Sequence, residues 1–126
     1  MEMQKLIELA IGGALGTLAR YSLAGVVYRF AGTDFPYGTL AVNLAGCLVL
    51  GFLSTIAEKK FFMGTDVKIF LMIGFCGAFT TFSTLIFETN ALIRDGETMR
   101  AFLNITASVV VGFALFRLGI YIGDVL

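Results

Sequence analysis

Four long apolar runs, each about as long as one bilayer crossing, fill most of the 126-residue sequence. They cover residues 6–30, 38–57, 69–93 and 101–122. A helix needs about 20 mostly apolar residues to cross roughly 30 Å of hydrocarbon. Each run meets that length, and the connections at 31–37, 58–68 and 94–100 are short. The runs lack period-two alternation, which excludes the strands of a membrane barrel. The expected fold is all-α and integral to a membrane, with residues 1–126 forming a single four-span domain. No stretch is left over for a soluble domain.

Composition narrows the function classes. Charged residues make up 14% of the chain, against about 25% in soluble domains. There is no His, and no nucleophile–base pair or phosphate loop is visible, so an enzyme is not expected. Nine Lys and Arg balance nine Asp and Glu without a basic stripe, which argues against a nucleic-acid partner. Cys47 and Cys76 fall inside spans without metal-ligand spacing, and read as small apolar residues. No small-residue cleavage site clearly follows the first run, so that run reads as an anchor. The lipid bilayer of the plasma membrane is the expected setting, with several crossings.

Loop charge barely biases orientation. Four crossings put both termini and connector 58–68 on one face, with Lys5, Lys59, Lys60, Lys68 and Arg117. The other face carries Arg29, Arg94 and Arg100, and Arg20 snorkels most easily to it. A bias of five against four is too small to fix orientation by the positive-inside rule. Two arrangements satisfy it: cytoplasmic termini, or insertion both ways with two copies paired upside down.

Polar residues within spans are costly and are functional candidates. In the first span Gly12, Gly13 and Gly16 form a small-residue face ahead of Arg20. Arg20 is either a headgroup anchor or a cation that concentrates anions at a vestibule. In the second span Thr39 and Asn43 share a face, and Gly46 and Gly51 extend a thin ridge. Asn43 serves equally as interhelical glue or as a donor to an ion. The third span reads Gly74-Phe75-Cys76-Gly77-Ala78-Phe79-Thr80-Thr81-Phe82-Ser83-Thr84-Leu85-Ile86-Phe87-Glu88. Two glycines and then four hydroxyls in five residues at mid-span point to an interrupted helix. Such backbone survives at membrane depth only inside protein or beside a wet cavity. There its free carbonyls bind cations and its free N–H groups face anions. Thr81, Thr84 and Glu88 are spaced as one polar stripe, with Phe82 and Leu85 on a neighbouring face. The bland alternative, hydroxyls bonded back to their own helix, accounts for one or two of them. In the fourth span Asn104 and Ser108 are one turn apart, with Gly112 next; an interfacial Asn104 and a packing Ser108 would explain them equally well.

Three stretches together resemble the Fluc (CrcB) family of fluoride ion channels. They are Gly12-Gly13-Ala14-Leu15-Gly16-Thr17-Leu18-Ala19-Arg20-Tyr21, Gly38-Thr39-Leu40-Ala41-Val42-Asn43-Leu44-Ala45-Gly46, and the third-span motif from Gly74 to Thr84. The resemblance implies an antiparallel, dual-topology homodimer of four-span subunits with a broken third helix and two fluoride pores. It implies that Asn43 meets the ion from the second span and that Phe82 presents its ring edge. Ser83 and Thr84 belong to the same motif, Thr81, Glu88 and Ser108 lie along a polar track, and Arg20 sits near a vestibule. It also implies a structural Na⁺ at the dimer centre, held by the backbone carbonyls of Gly77 and Thr80. One departure stands out: many relatives carry a second Phe where this chain has Leu85, which keeps an apolar wall but lacks a positive ring edge.

The function this implies is passive export of fluoride ion, conferring fluoride resistance. Fluoride is small and tightly hydrated, so several weak neutral donors must replace its water without trapping it. The rival reading is a small multidrug-resistance-like, proton-coupled exporter. That machine needs a central titrating carboxylate, and Glu8 and Glu88 lie toward span ends. A non-transporting scaffold would not need the third-span cluster.

Overall fold

A computed structural model describes residues 2–59 and 64–126. Lys60, counted in the charge tally, and the middle of connector 58–68 lie outside the described residues. The chain forms α1 (Glu2–Ala31), α2 (Tyr37–Lys59), α3 (Thr65–Lys68), a π-helical segment (Ile69–Cys76), α4 (Gly77–Phe79), α5 (Phe82–Arg94) and α6 (Thr98–Val125). No strand occurs among the described residues. Four stretches are long and apolar enough to cross a membrane: Glu2–Ala31, Tyr37–Lys59, Thr65–Arg94 and Thr98–Val125. These are the four expected runs, each extended into its flanks.

The span ends follow local chemistry. Gly32 and Gly96 terminate α1 and α5 with φ of 87° and 79°, a conformation that favours glycine. At Gly96 the last carbonyls of α5 are closed by Gly96 N–H to Ile93 O at 3.0 Å and Glu97 N–H to Leu92 O at 2.8 Å, a Schellman stop. Pro36 precedes α2, where its missing N–H costs nothing.

Contacts between ends fix the up-and-down course. Lys59 Nζ donates to Asp124 O at 2.8 Å, tying α2 to the end of α6. Gln4 donates to Asp66 at 3.0 Å, tying α1 to the start of the third span. Arg100 donates to Asp34 O at 3.1 Å at the opposite end.

Helices associate through close backbone approach, because lipid supplies no hydrophobic drive between them. The α2–α6 interface is the most extensive. There Gly51 lies on the Phe116 carbonyl and Gly119 on the Leu48 carbonyl, each leaving no space for a Cβ. Helix α1 packs on the π-helical segment and α4. Large apolar side chains such as Tyr21, Phe30, Phe87 and Phe113 stand exposed, as a lipid-facing surface requires.

The π-helical segment was not anticipated. Its apolar run carries no periodic marker that separates π from α winding. Such turns recur near functional sites, and this one delivers the chain to the break described next.

Candidate functional site

The third span is interrupted at Thr80 and Thr81, as the glycine and hydroxyl cluster predicts. Thr80 has φ −93° and ψ 160°, and Thr81 has φ −151° and ψ 118°; both are extended. The break frees backbone groups that the surrounding residues satisfy one by one. The Thr80 N–H and hydroxyl both reach back to Cys76 O, at 3.2 and 3.1 Å. Thr81 caps α5: its hydroxyl oxygen accepts from the Thr84 N–H at 3.4 Å and its proton goes to Thr84 Oγ1 at 3.0 Å.

Two neighbouring spans hold the break from outside. Asn43 on α2 grips Thr81 at both backbone groups: Oδ1 accepts the Thr81 N–H at 2.7 Å, and Nδ2 donates to Thr81 O at 3.0 Å. Arg20 on α1 donates from Nε to Ala78 O at 3.0 Å. The bond anchors the Arg20 side chain to a carbonyl of the third span. Among the described residues, the carbonyls of Gly77, Phe79 and Thr80 receive no hydrogen bond, so three acceptors at the break stay open, those of Gly77 and Thr80 among them.

A groove of about 340 Å³ runs beside the break. It brings together Asn43, Gly77, Thr80, Thr81, Phe82 and Ser108, with Leu85 in its wall. The Phe82 ring is 73% exposed, whereas Leu85 is 5% exposed, so the two positions face different surroundings. Phe75 and Phe79 stack with centroids 5.8 Å apart, and neither lines the groove. Cys47 and Cys76 are free thiols in its wall, which agrees with their reading as small packing residues.

Other expected residues fall elsewhere. Ser83 is exposed on the first turn of α5. Glu88 lines a separate cavity of about 380 Å³ with Tyr28, Asp34 and Asp95, and its Oε1 is buried without a partner. The spacing rule that aligned Thr81, Thr84 and Glu88 assumes an unbroken helix, and Thr81 precedes the helix. Ser108 Oγ is also buried without a partner.

One pair escaped the sequence reading. Asn104 is 1% exposed and donates from Nδ2 to Thr89 Oγ1 at 3.0 Å. Thr89 in turn donates to Leu85 O at 2.7 Å. Asn104 is thus buried between α5 and α6. Finding the pair requires the register between two spans, which a single sequence does not carry.

Residues 7–120 match the family described as CrcB-like protein, Camphor Resistance (CrcB). A protein of Desulforapulum autotrophicum named Fluoride-specific ion channel FluC is 45% identical over 119 residues, covering 94% of this chain and 95% of that protein. One of the same name from Nitratidesulfovibrio vulgaris is 44% identical over 121 residues, covering 96% and 98%. Another, from Geobacter metallireducens, is 46% identical over 118 residues, covering 94% and 95%.

Proposed function

The chain belongs to the CrcB family, and from that premise we infer that it is a fluoride-specific ion channel whose path runs along the groove beside the broken third span. The observation that carries this reading is the break itself: extended backbone at mid-span, gripped by Asn43 and open to a groove whose mostly apolar wall carries the neutral polar side chains of Asn43, Thr80, Thr81 and Ser108. A multi-pass membrane protein of this kind performs no covalent chemistry. It replaces the ion's water with weak partners and lets the gradient do the rest.

The residues divide the task. Asn43 Nδ2 has a second N–H beyond the one given to Thr81, and that proton faces fluoride. The Phe82 ring edge is a mild attractor on the same path. Hydroxyls of Ser83, Thr84 and Ser108 supply further donors, Thr81 orients Thr84 by giving it its own proton, and Glu88 lies farther along the track. Arg20, fixed at the Ala78 carbonyl, contributes a positive field without entering the path. A strong cation within it would trap the anion. Exit of fluoride from the cytoplasm across the plasma membrane then gives fluoride resistance.

Pairing completes the assembly. The near-balanced loop charge supports insertion in both orientations and an antiparallel homodimer. The open carbonyls of Gly77 and Thr80 suit a hard cation such as Na⁺, which takes oxygen ligands. A second copy turned upside down would bring the same two carbonyls, and the ion would hold the two breaks together.

Two measurements test this. In lipid vesicles loaded with potassium fluoride or, in a parallel set, potassium chloride, the purified chain is expected to release fluoride to an electrode once valinomycin balances charge, with no pH gradient. Chloride is expected to stay inside; equal chloride release, or dependence on a proton gradient, would defeat the channel reading in favour of a coupled exporter. Reconstitution in rigorously Na⁺-free buffer is expected to lower fluoride release at least about tenfold if the cation contributes upward of 1.4 kcal/mol to the assembled state. Unchanged release would remove Na⁺ from the account.

A further inference from the structure

Asn104 is one of the two largest fully buried side chains and is polar, in a chain that has little other than apolar surface around it. Its amide does not point its donor end toward open space. Nδ2 reaches Thr89 Oγ1 at 3.0 Å, and Thr89, 9% exposed, sends its single hydroxyl proton to Leu85 O at 2.7 Å. With that proton engaged, Thr89 Oγ1 can only accept, so the amide must present nitrogen to it. Oδ1 has no partner among the described residues, and Nδ2 keeps a second N–H beyond the one given to Thr89. At 1% exposure, and outside the lining of the groove, Asn104 has no open face toward the path.

Resting on the fluoride-channel reading, we propose that Asn104 is a positioning residue that acts through Thr89 and does not contact the ion. The chain Asn104–Thr89–Leu85 O rivets α6 to α5 within the first two turns after the break. It fixes the depth and rotation of α5, and with them Phe82 and Thr84. Asn43 holds one side of the break from α2, and Asn104 holds the half-helix that follows it from α6. Buried polar pairs have a diagnostic asymmetry: removing one partner strands the other, while removing both together is far less costly. Loss of Thr89 strands the whole Asn104 amide. Loss of Asn104 strands nothing, because the Thr89 hydroxyl keeps Leu85 O.

The test uses the full chain in vesicles, with fluoride release and thermal melting read for Thr89→Val, Asn104→Leu, the double variant and Thr89→Ser. Thr89→Val is expected to lose about tenfold in release and Asn104→Leu only about threefold. Adding Asn104→Leu to Thr89→Val is expected to restore release and raise melting. Thr89→Ser is expected to behave as wild type, and the preference for fluoride over chloride to hold in every variant. If Asn104 meets the ion, Asn104→Leu is the slower single variant, the double is no faster, or chloride begins to pass; any of these overturns the proposal. Wild-type release from Thr89→Val overturns it as well. If Thr89→Val fails to fold, recovery of a folded, conducting double variant supports the rivet, and its failure overturns it. Absence of fluoride release from the wild-type chain would instead remove the channel reading, and the melting order of the four proteins would still decide the pairing.

Discussion

Asn43→Asp is expected to reduce fluoride release at least about 100-fold, with the purified protein still eluting as a single species. The substitution keeps size and one acceptor, so the Thr81 N–H retains its partner. The Nδ2 donor, however, becomes an oxygen facing the Thr81 carbonyl at the position where 3.0 Å now separates donor from acceptor. The break loses one of its two grips, at a cost of about 1–3 kcal/mol for a stranded buried group. An ionised carboxylate at this depth adds about 2.5–3.5 kcal/mol, and it repels the anion that the amide would attract. Asn43→Leu separates these effects, since it removes both hydrogen bonds to Thr81 without adding charge. It is expected to lose less than Asp if repulsion dominates, and as much if the grip dominates. A fluoride electrode reads both. Wild-type release from Asn43→Asp would mean that the amide neither holds the break nor lies on the path.

How far the sequence carried this reading depends on which residues are considered. The four spans were legible because length and hydropathy are properties of one segment at a time. The break was legible because Gly77, Thr80 and Thr81 sit where apolar residues would otherwise be required, and backbone at that depth must be satisfied by protein. What satisfies it was not legible. Asn43 and Arg20 were visible as polar residues in spans, but their acceptors, Thr81 and Ala78, lie 38 and 58 residues away. Asn104 and Thr89 were harder still, because each alone resembles an ordinary polar residue in a span. The π-helical winding at Ile69–Cys76 left no trace in an apolar pattern that suits either helix. The stripe of Thr81, Thr84 and Glu88 is joined in a way that spacing does not give: Thr84 and Glu88 lie one turn apart in α5, while Thr81 is its cap and reaches Thr84 by hydrogen bonds.

The small residues of α1 give the second large effect, and they show the same limit. Read by spacing alone, Gly12, Gly13 and Gly16 form one face. In the structure they part company. A Cβ on Gly12 would lie 2.6 Å from Phe70 O, and one on Gly16 would overlap Phe75 O and come within 3.1 Å of Ala78 Cβ. A Cβ on Gly13 would meet nothing within 4 Å. Gly16→Ala is therefore expected to force α1 away from the π-helical segment and from Ala78, whose carbonyl Arg20 holds. The obstructing atoms are the Phe75 backbone and the Ala78 Cβ, none of which can swing aside, so the whole interface must shift. The expected loss is about 1–3 kcal/mol, the usual cost of overpacking. It should appear as lower melting together with reduced fluoride release, because Arg20 rides on the same helix four residues further on. Gly13→Ala is expected to melt at or above wild type, since alanine is the better helix former by about 0.8–1.0 kcal/mol. If the two variants behave alike, α1 does not pack on the third span through Gly16, and the Arg20 bond to the break would lose its structural basis.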